Sequence, residues 1–172
     1  ETALQSGQLI HLLLEHLPAR PESDWPVLAT QLLSPINQAC GAVDKAALLS
    51  EATVLLTKPD LRRIFTTEAL AEVDVSADLP SLGGRRIHGT IDRLVIDKAE
   101  VLAIDFKSNV AVPSEVAHCP EGILRQMAAY AEALQQIYPD HKITMAILWT
   151  KTATLMSLPD RLLSDALSRA DV

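Results

Sequence analysis

Apolar positions along the first third of this chain recur at helical spacing. Leu4, Ile10, Leu13, Leu14 and Leu17 recur along it, the last four each three or four residues from another, which predicts a helix over 3–17 stopped by Pro18. A proline-containing connection leads to a second predicted helix over 25–39, opening at Trp25 and broken near Pro35. Asp44 is placed to cap a third helix reaching about Leu56, and a short helix follows Pro59.

The period then changes to two. In "EVDVSADL" (72–79), Val73, Val75 and Ala77 alternate with Glu72, Asp74 and Ser76, the pattern of a half-buried strand. "RRIHGTIDRLVI" (85–96) and "VLAIDFK" (101–107) read as further strands, and "EGILRQMAAYAEALQQIY" (121–138) as a helix ended by Pro139. "ITMAILW" (143–149) and "ATLMSL" (153–158) add two short strands, and "PDRLLSDALSRA" (159–170) closes the chain as a helix. Strands that bracket a helix after an all-helical preface predict an α/β or α+β class, one domain over 1–172 with a helical segment 1–65 and a core 66–172.

Three charges interrupt this scheme. Asp92 breaks one β-branched run, and Asp105 and Lys107 end the next. With "DKAE" (97–100) as the connecting turn, Ile96 pairs with Val101, and counting outward along the antiparallel hairpin sets Asp92 opposite Asp105. Lys107, two residues on, shares the face of Asp105. Like charges directly opposed destabilise a sheet unless something compensates them. Residues 101–106 are almost entirely apolar on both faces, so the strand reads as interior and desolvation adds to the cost. A divalent cation held by hard oxygen donors, Mg²⁺ or Mn²⁺, is one compensation; Lys107 bridging both aspartates at an exposed strand end is the other.

Composition narrows the setting. The chain of 172 residues is 48% hydrophobic with only 3% aromatics, so Leu, Val, Ile and Ala must build the core. Mean hydropathy of +0.16 disfavours disorder. No apolar run approaches the roughly 18 residues of a membrane span, and no secretory signal opens the chain. Cys40 and Cys119 form no C-x-x-C pair, which argues against a disulfide framework, a cysteine zinc site or an iron–sulfur cluster and points to a reducing, cytoplasmic setting. The formal charge of −7 is unusual for a nucleic-acid binder but suits a site that recruits divalent cations. No G-x-x-x-x-G-K-[ST] occurs, and His88, His118 and His141 lack zinc-hydrolase spacing. Beginning at Glu1, the sequence reads as part of a longer polypeptide.

"GTIDRL" (89–94) and "AIDFKSN" (103–109) resemble the G-x-I-D-R-L and D-[YF]-K-[TS] motifs of the PD-(D/E)XK nuclease superfamily, in its RecB-like branch. Companion motifs follow that branch in order. "GQLIHLLLE" resembles its helix bearing a histidine, "EVDV" its strand bearing a glutamate, and "RQMAAYAEAL" its Q-x-x-x-Y helix. The tail from 133 onward looks most like the C-terminal nuclease domains of AddA-type helicase–nuclease subunits, which repair double-strand breaks in bacteria. The resemblance implies a restriction-endonuclease-like mixed sheet flanked by helices and a Mg²⁺-dependent deoxyribonuclease. In it Asp92, Asp105 and Lys107 would be catalytic. His11, Asp92, Asp105 and the backbone carbonyl of Phe106 would hold the metal, with Glu72 behind them. Gln126 and Tyr130 would touch the DNA strand. Phe106 and Ser108 stand where tyrosine and threonine are commoner in the branch. The implied partners are single-stranded DNA, a helicase region of the same chain where ATP is used, and a second nuclease subunit of the AddB type. A nuclease-like module with a silent site, binding DNA or a partner subunit, is the alternative function.

Without the resemblance these residues have plainer roles. His11 follows Gly7 by one helical turn, which leaves room for a ligand or for simple packing. Gln126 and Tyr130, four apart, share one helix face. Arg85 and Arg86 could meet phosphates, whereas Arg93 reads as a structural ion-pair partner.

Overall fold

The computed structural model describes residues 2–34 and 44–169. The continuation of the second helix to Ala39, the break at Pro35, and Cys40 lie outside them. Helix α1 (Thr2–His16) gives way at Pro18 to a short 3-10 turn, and α2 (Trp25–Leu33) is tied back by Trp25 Nε1, which donates to the carbonyls of Leu17 (2.9 Å) and Arg20 (3.0 Å). Helix α3 (Lys45–Thr57) starts where expected, with Asp44 Oδ1 accepting from the Ala47 N–H at 3.0 Å. After Pro59 the chain makes 3-10 turns to Phe65.

Five strands form one mixed sheet in chain order: β1 (Leu70–Leu79), β2 (Arg85–Ile96), β3 (Glu100–Lys107), β4 (Lys142–Trp149) and β5 (Thr154–Leu158). All neighbours are antiparallel except β3 and β4, which are parallel and joined through α4 (Glu121–Ile137). Helix α5 (Asp160–Ser168) follows β5. Glu100, expected in the turn, instead opens β3, and the hairpin closes with the Asp97 N–H on the Glu100 carbonyl at 2.8 Å.

Each face of the sheet carries its own core. On one, α4 and α5 cover Val75, Ile91, Leu94, Ala103, Met145 and Ile147. On the other, α1, α2 and α3 cover Leu102, Ile104, Phe106, Ala146 and Leu148. The central strand β3 alternates between them and is buried from Val101 to Phe106, as a strand apolar on both faces must be. This is the restriction-endonuclease-like α/β arrangement. Among the described residues no helix is long and apolar enough to cross a membrane.

Candidate active site

The β2–β3 ladder follows the expected register, with Ile96 opposite Val101 and Arg93 opposite Ile104, and stops there. One residue further, Asp92 replaces the ladder with its side chain: Oδ2 accepts the Phe106 N–H at 2.5 Å. A carboxylate thus satisfies a backbone donor that β2 would otherwise have to meet, and the two strands part.

The same point is a break in β2 itself. Ile91 packs on the α4 side, yet Arg93, which a regular strand would turn the same way, faces α1. Its Nη2 donates to the Leu14 carbonyl near the end of α1, and its guanidinium lies 5.3 Å from the centre of the Phe65 ring. Arg93 is therefore a tie between β2 and the helical layer, held by a carbonyl and a ring rather than by the ion pair its charge suggests. Across from Asp92, Glu72 has φ +48°, a left-handed value rare within a strand. Asp92, Arg93 and Asp105 are among the few polar side chains buried in the described residues, and all three flank this break.

His11 reaches the break from α1. The helix comes close enough to the end of β3 that a Cβ on Gly7 would lie 2.6 Å from Ser108 Oγ. One turn later, His11 Nδ1 sits 3.1 Å from Asp92 Oδ1, with its ring edge-on to Phe106 at 5.5 Å. Burial pulls the imidazole pKa down, but the bond to Asp92 and the charges of Asp92, Asp105 and Glu72 outweigh it and leave the pKa raised. The Glu72 carboxyl is also raised, by burial and then by Asp92. One donor atom each from His11, Glu72 and Asp92 lies within 4.8 Å of the other two.

Asp105 stands beside this trio rather than within it. It is 5% exposed, and burial raises its pKa, with Lys107 opposing and Asp92 reinforcing. Its Oδ2 lies 2.6 Å from Lys107 Nζ, a charge contact out of line for a hydrogen bond, so this buried oxygen has no aligned donor. Phe106 lends the site its N–H and its ring. An imidazole nitrogen and three carboxylates, one of them with a buried oxygen that has no aligned donor, fit a divalent cation by their chemistry.

Gln126 and Tyr130 lie on α4. Gln126 Nε2 donates to the Tyr130 hydroxyl at 3.2 Å, and Tyr130 is 7% exposed. Its ring rests on the backbone of Gly89, where an added Cβ would lie 2.1 Å from Oη. Glycine inside a strand marks such a close approach, and "GTID" carried that signal. Arg86 is engaged by Asp78, with contacts of 2.7 and 3.0 Å.

These motifs sit in a recognisable order along the chain, and a profile of the PD-(D/E)XK nuclease superfamily matches residues 1–161. The chain belongs to that superfamily. Its members are usually nucleases that use divalent metals, which fits the donors gathered at the β2–β3 break. A threonine–tRNA ligase of Haloarcula marismortui is 30% identical over 102 residues, 58% of this chain; the chain spans 15% of that protein's length. The crystal structure of SSO0001 covers 92% of this chain and 73% of its own at 17% identity and a TM-score of 0.33, a likeness too distant to carry an argument.

Proposed function

We propose that this chain is the metal-dependent nuclease domain of a longer AddA-type helicase–nuclease. It would cut phosphodiester bonds of unwound single-stranded DNA during double-strand-break repair by homologous recombination. The observation that carries the reading is the clustering of His11, Glu72 and Asp92 beside the buried Asp105 and its partner Lys107, where β2 and β3 part. Against the effect of burial the surrounding carboxylates raise the pKa of His11, and burial raises that of Asp105, a setting that a bound cation would suit.

His11, Asp92 and Asp105, with the Phe106 carbonyl, would hold Mg²⁺, or Mn²⁺ in its place. The bound ion would offset phosphate charge and make a water more acidic. Asp92 fixes the cleft by holding the Phe106 N–H, and His11 fixes Asp92 from the opposite side. Lys107, whose side chain is 24% exposed, reaches from Asp105 toward solvent; its ammonium can hold a water for in-line attack or stabilise negative charge on the phosphate. Gln126, half-buried and steadied by Tyr130, offers its amide to the strand. ATP hydrolysis would belong to the helicase region, and a second nuclease subunit of the AddB type would be the partner.

The closed pairs Lys107–Asp105 and His11–Asp92 favour a second reading, in which the site satisfies its own charges and the domain only binds. A cleavage assay separates the two. Labelled single-stranded DNA should be cut in Mg²⁺ or Mn²⁺, and cutting should stop in EDTA and in Lys107→Ala, which should still bind the metal. Cleavage that survives either change refutes the mechanism. If the longer polypeptide unwinds DNA but leaves it uncut, the binding module is correct.

A further inference from the structure

The hairpin of β1 and β2 buries one face and leaves the other bare. Val75, Leu79 and Ile91 pack in the core beneath α4, with Val73, Ala77 and Ile87 beside them. The residues between them point the other way, so Asp74 opposite Thr90, Ser76 opposite His88 and Asp78 opposite Arg86 share the second face. The helical layer covers that side of β3 and β4 but stops short of the hairpin, and all six residues are exposed. A groove of about 390 Å³ runs along Asp74, Ser76, His88 and Thr90. Two residues further on, the same strands present Glu72 and Asp92, so the groove leads into the candidate cation site.

Its chemistry does not suit a phosphate backbone. Asp78 already holds Arg86, with contacts of 2.7 and 3.0 Å, and Asp74 accepts the Thr90 hydroxyl at 2.9 Å, which leaves its charge in place. A carboxylate and hydroxyls are instead partners for base edges, whose exocyclic amino groups donate. His88 is the one ring on this face, an exposed imidazole on which a base can stack. Successive cross-strand pairs stand about 6.8 Å apart, close to the span of one nucleotide in an unstacked strand, so each pair can meet one base. A duplex keeps its bases stacked inside and cannot use such a surface.

We propose that this face of the β1–β2 hairpin binds the bases of the single strand running to the cation site, with His88 stacking on the base about two nucleotides from the phosphate that is cut. This rests on the nuclease reading and deepens it: base contacts on the hairpin select single strands, and the acidic groove turns the phosphate backbone outward.

Fluorescence anisotropy in Ca²⁺, comparing ordinary single-stranded DNA with a fully abasic strand of the same length, tests this apart from cleavage. Wild type should bind the ordinary strand more tightly. His88→Ala should weaken that binding about 5- to 150-fold, the loss of one stacked base, and leave binding of the abasic strand unchanged. His88→Phe, which keeps a ring without the imidazole nitrogens, should bind the ordinary strand as wild type does. An equal loss on both strands would make His88 a phosphate contact, and wild-type affinity in His88→Ala would take it out of the track. Either result overturns the proposal while leaving the nuclease reading intact. A wild type that prefers the ordinary strand yet leaves it uncut in Mg²⁺ and Mn²⁺ overturns the nuclease reading instead.

Discussion

Asp105 is an acid that the metal-free fold tolerates rather than needs. Burial and Asp92 both disfavour its charge, while Lys107 and, more weakly, His11 support it. Asp105→Asn should therefore leave stability in EDTA unchanged or raise it by up to about 1 kcal/mol, since Lys107 can turn to solvent. The stabilisation that Mg²⁺ gives the wild type should disappear. Thermal melts with and without Mg²⁺ decide this; clear destabilisation in EDTA would make Asp105 a structural ion-pair partner. Gly89 sets an opposite, purely steric condition. A methyl group there meets the rigid Tyr130 ring, so Gly89→Ala should cost about 1–3 kcal/mol. Added to Tyr130→Ala, the same methyl should cost close to nothing, a coupling that a double-mutant denaturation cycle measures directly.

Among elements, the junction between the helical layer and the sheet depends on a few polar ties. Glu100, at the start of β3, accepts from Thr144 Oγ1 on β4 at 2.7 Å and from Arg63 Nη2 in the 3-10 run at 3.3 Å. The Thr144 bond lowers its pKa most, burial opposes, and Arg63 lowers it further. A carboxyl depressed in the folded state stabilises above its unfolded pKa, ordinarily 4.5, and that gain is lost as pH falls through the folded value. Wild type should thus exceed Glu100→Gln in melting temperature at pH 7, and the difference should vanish in the acid range below 4.5. A gap that persists at low pH would show that Glu100 acts through packing instead of charge.

For the molecule as a whole, charge and catalysis pull apart. A net charge of −7 gives little phosphate neutralisation, and of the three arginines on β2, Arg86 and Arg93 are already engaged by Asp78 and by α1. This chain alone should therefore bind single-stranded DNA weakly, and with few phosphates neutralised its affinity should fall only gently as salt rises. Attachment to a strand-delivering motor should restore cutting by raising local concentration. Fluorescence anisotropy against salt, for this chain and for the longer polypeptide, tests both statements. Tight binding by the chain alone with a steep salt dependence would contradict them.

The order of elements was legible in the sequence because burial imposes periods: three to four residues under α1 and α4, two along β1, and an unbroken apolar run in β3. The hairpin register followed from the length of its turn, and the order of motifs named the family later matched over 1–161. Only the tertiary structure decided what happens at residue 92. A register rule assumes two regular strands, whereas the Asp92 side chain takes the Phe106 N–H, β2 rotates between Ile91 and Arg93, and Glu72 turns left-handed beside it. The sequence likewise showed Arg93 as a charge and Gly89 only as the first residue of a motif, and only packing supplied the Leu14 carbonyl and the Tyr130 ring that explain them. Local pattern records which face a residue buries. Whether a polar group meets a backbone donor, a carbonyl or a second charge depends on elements distant in the chain, and folding alone brings those together.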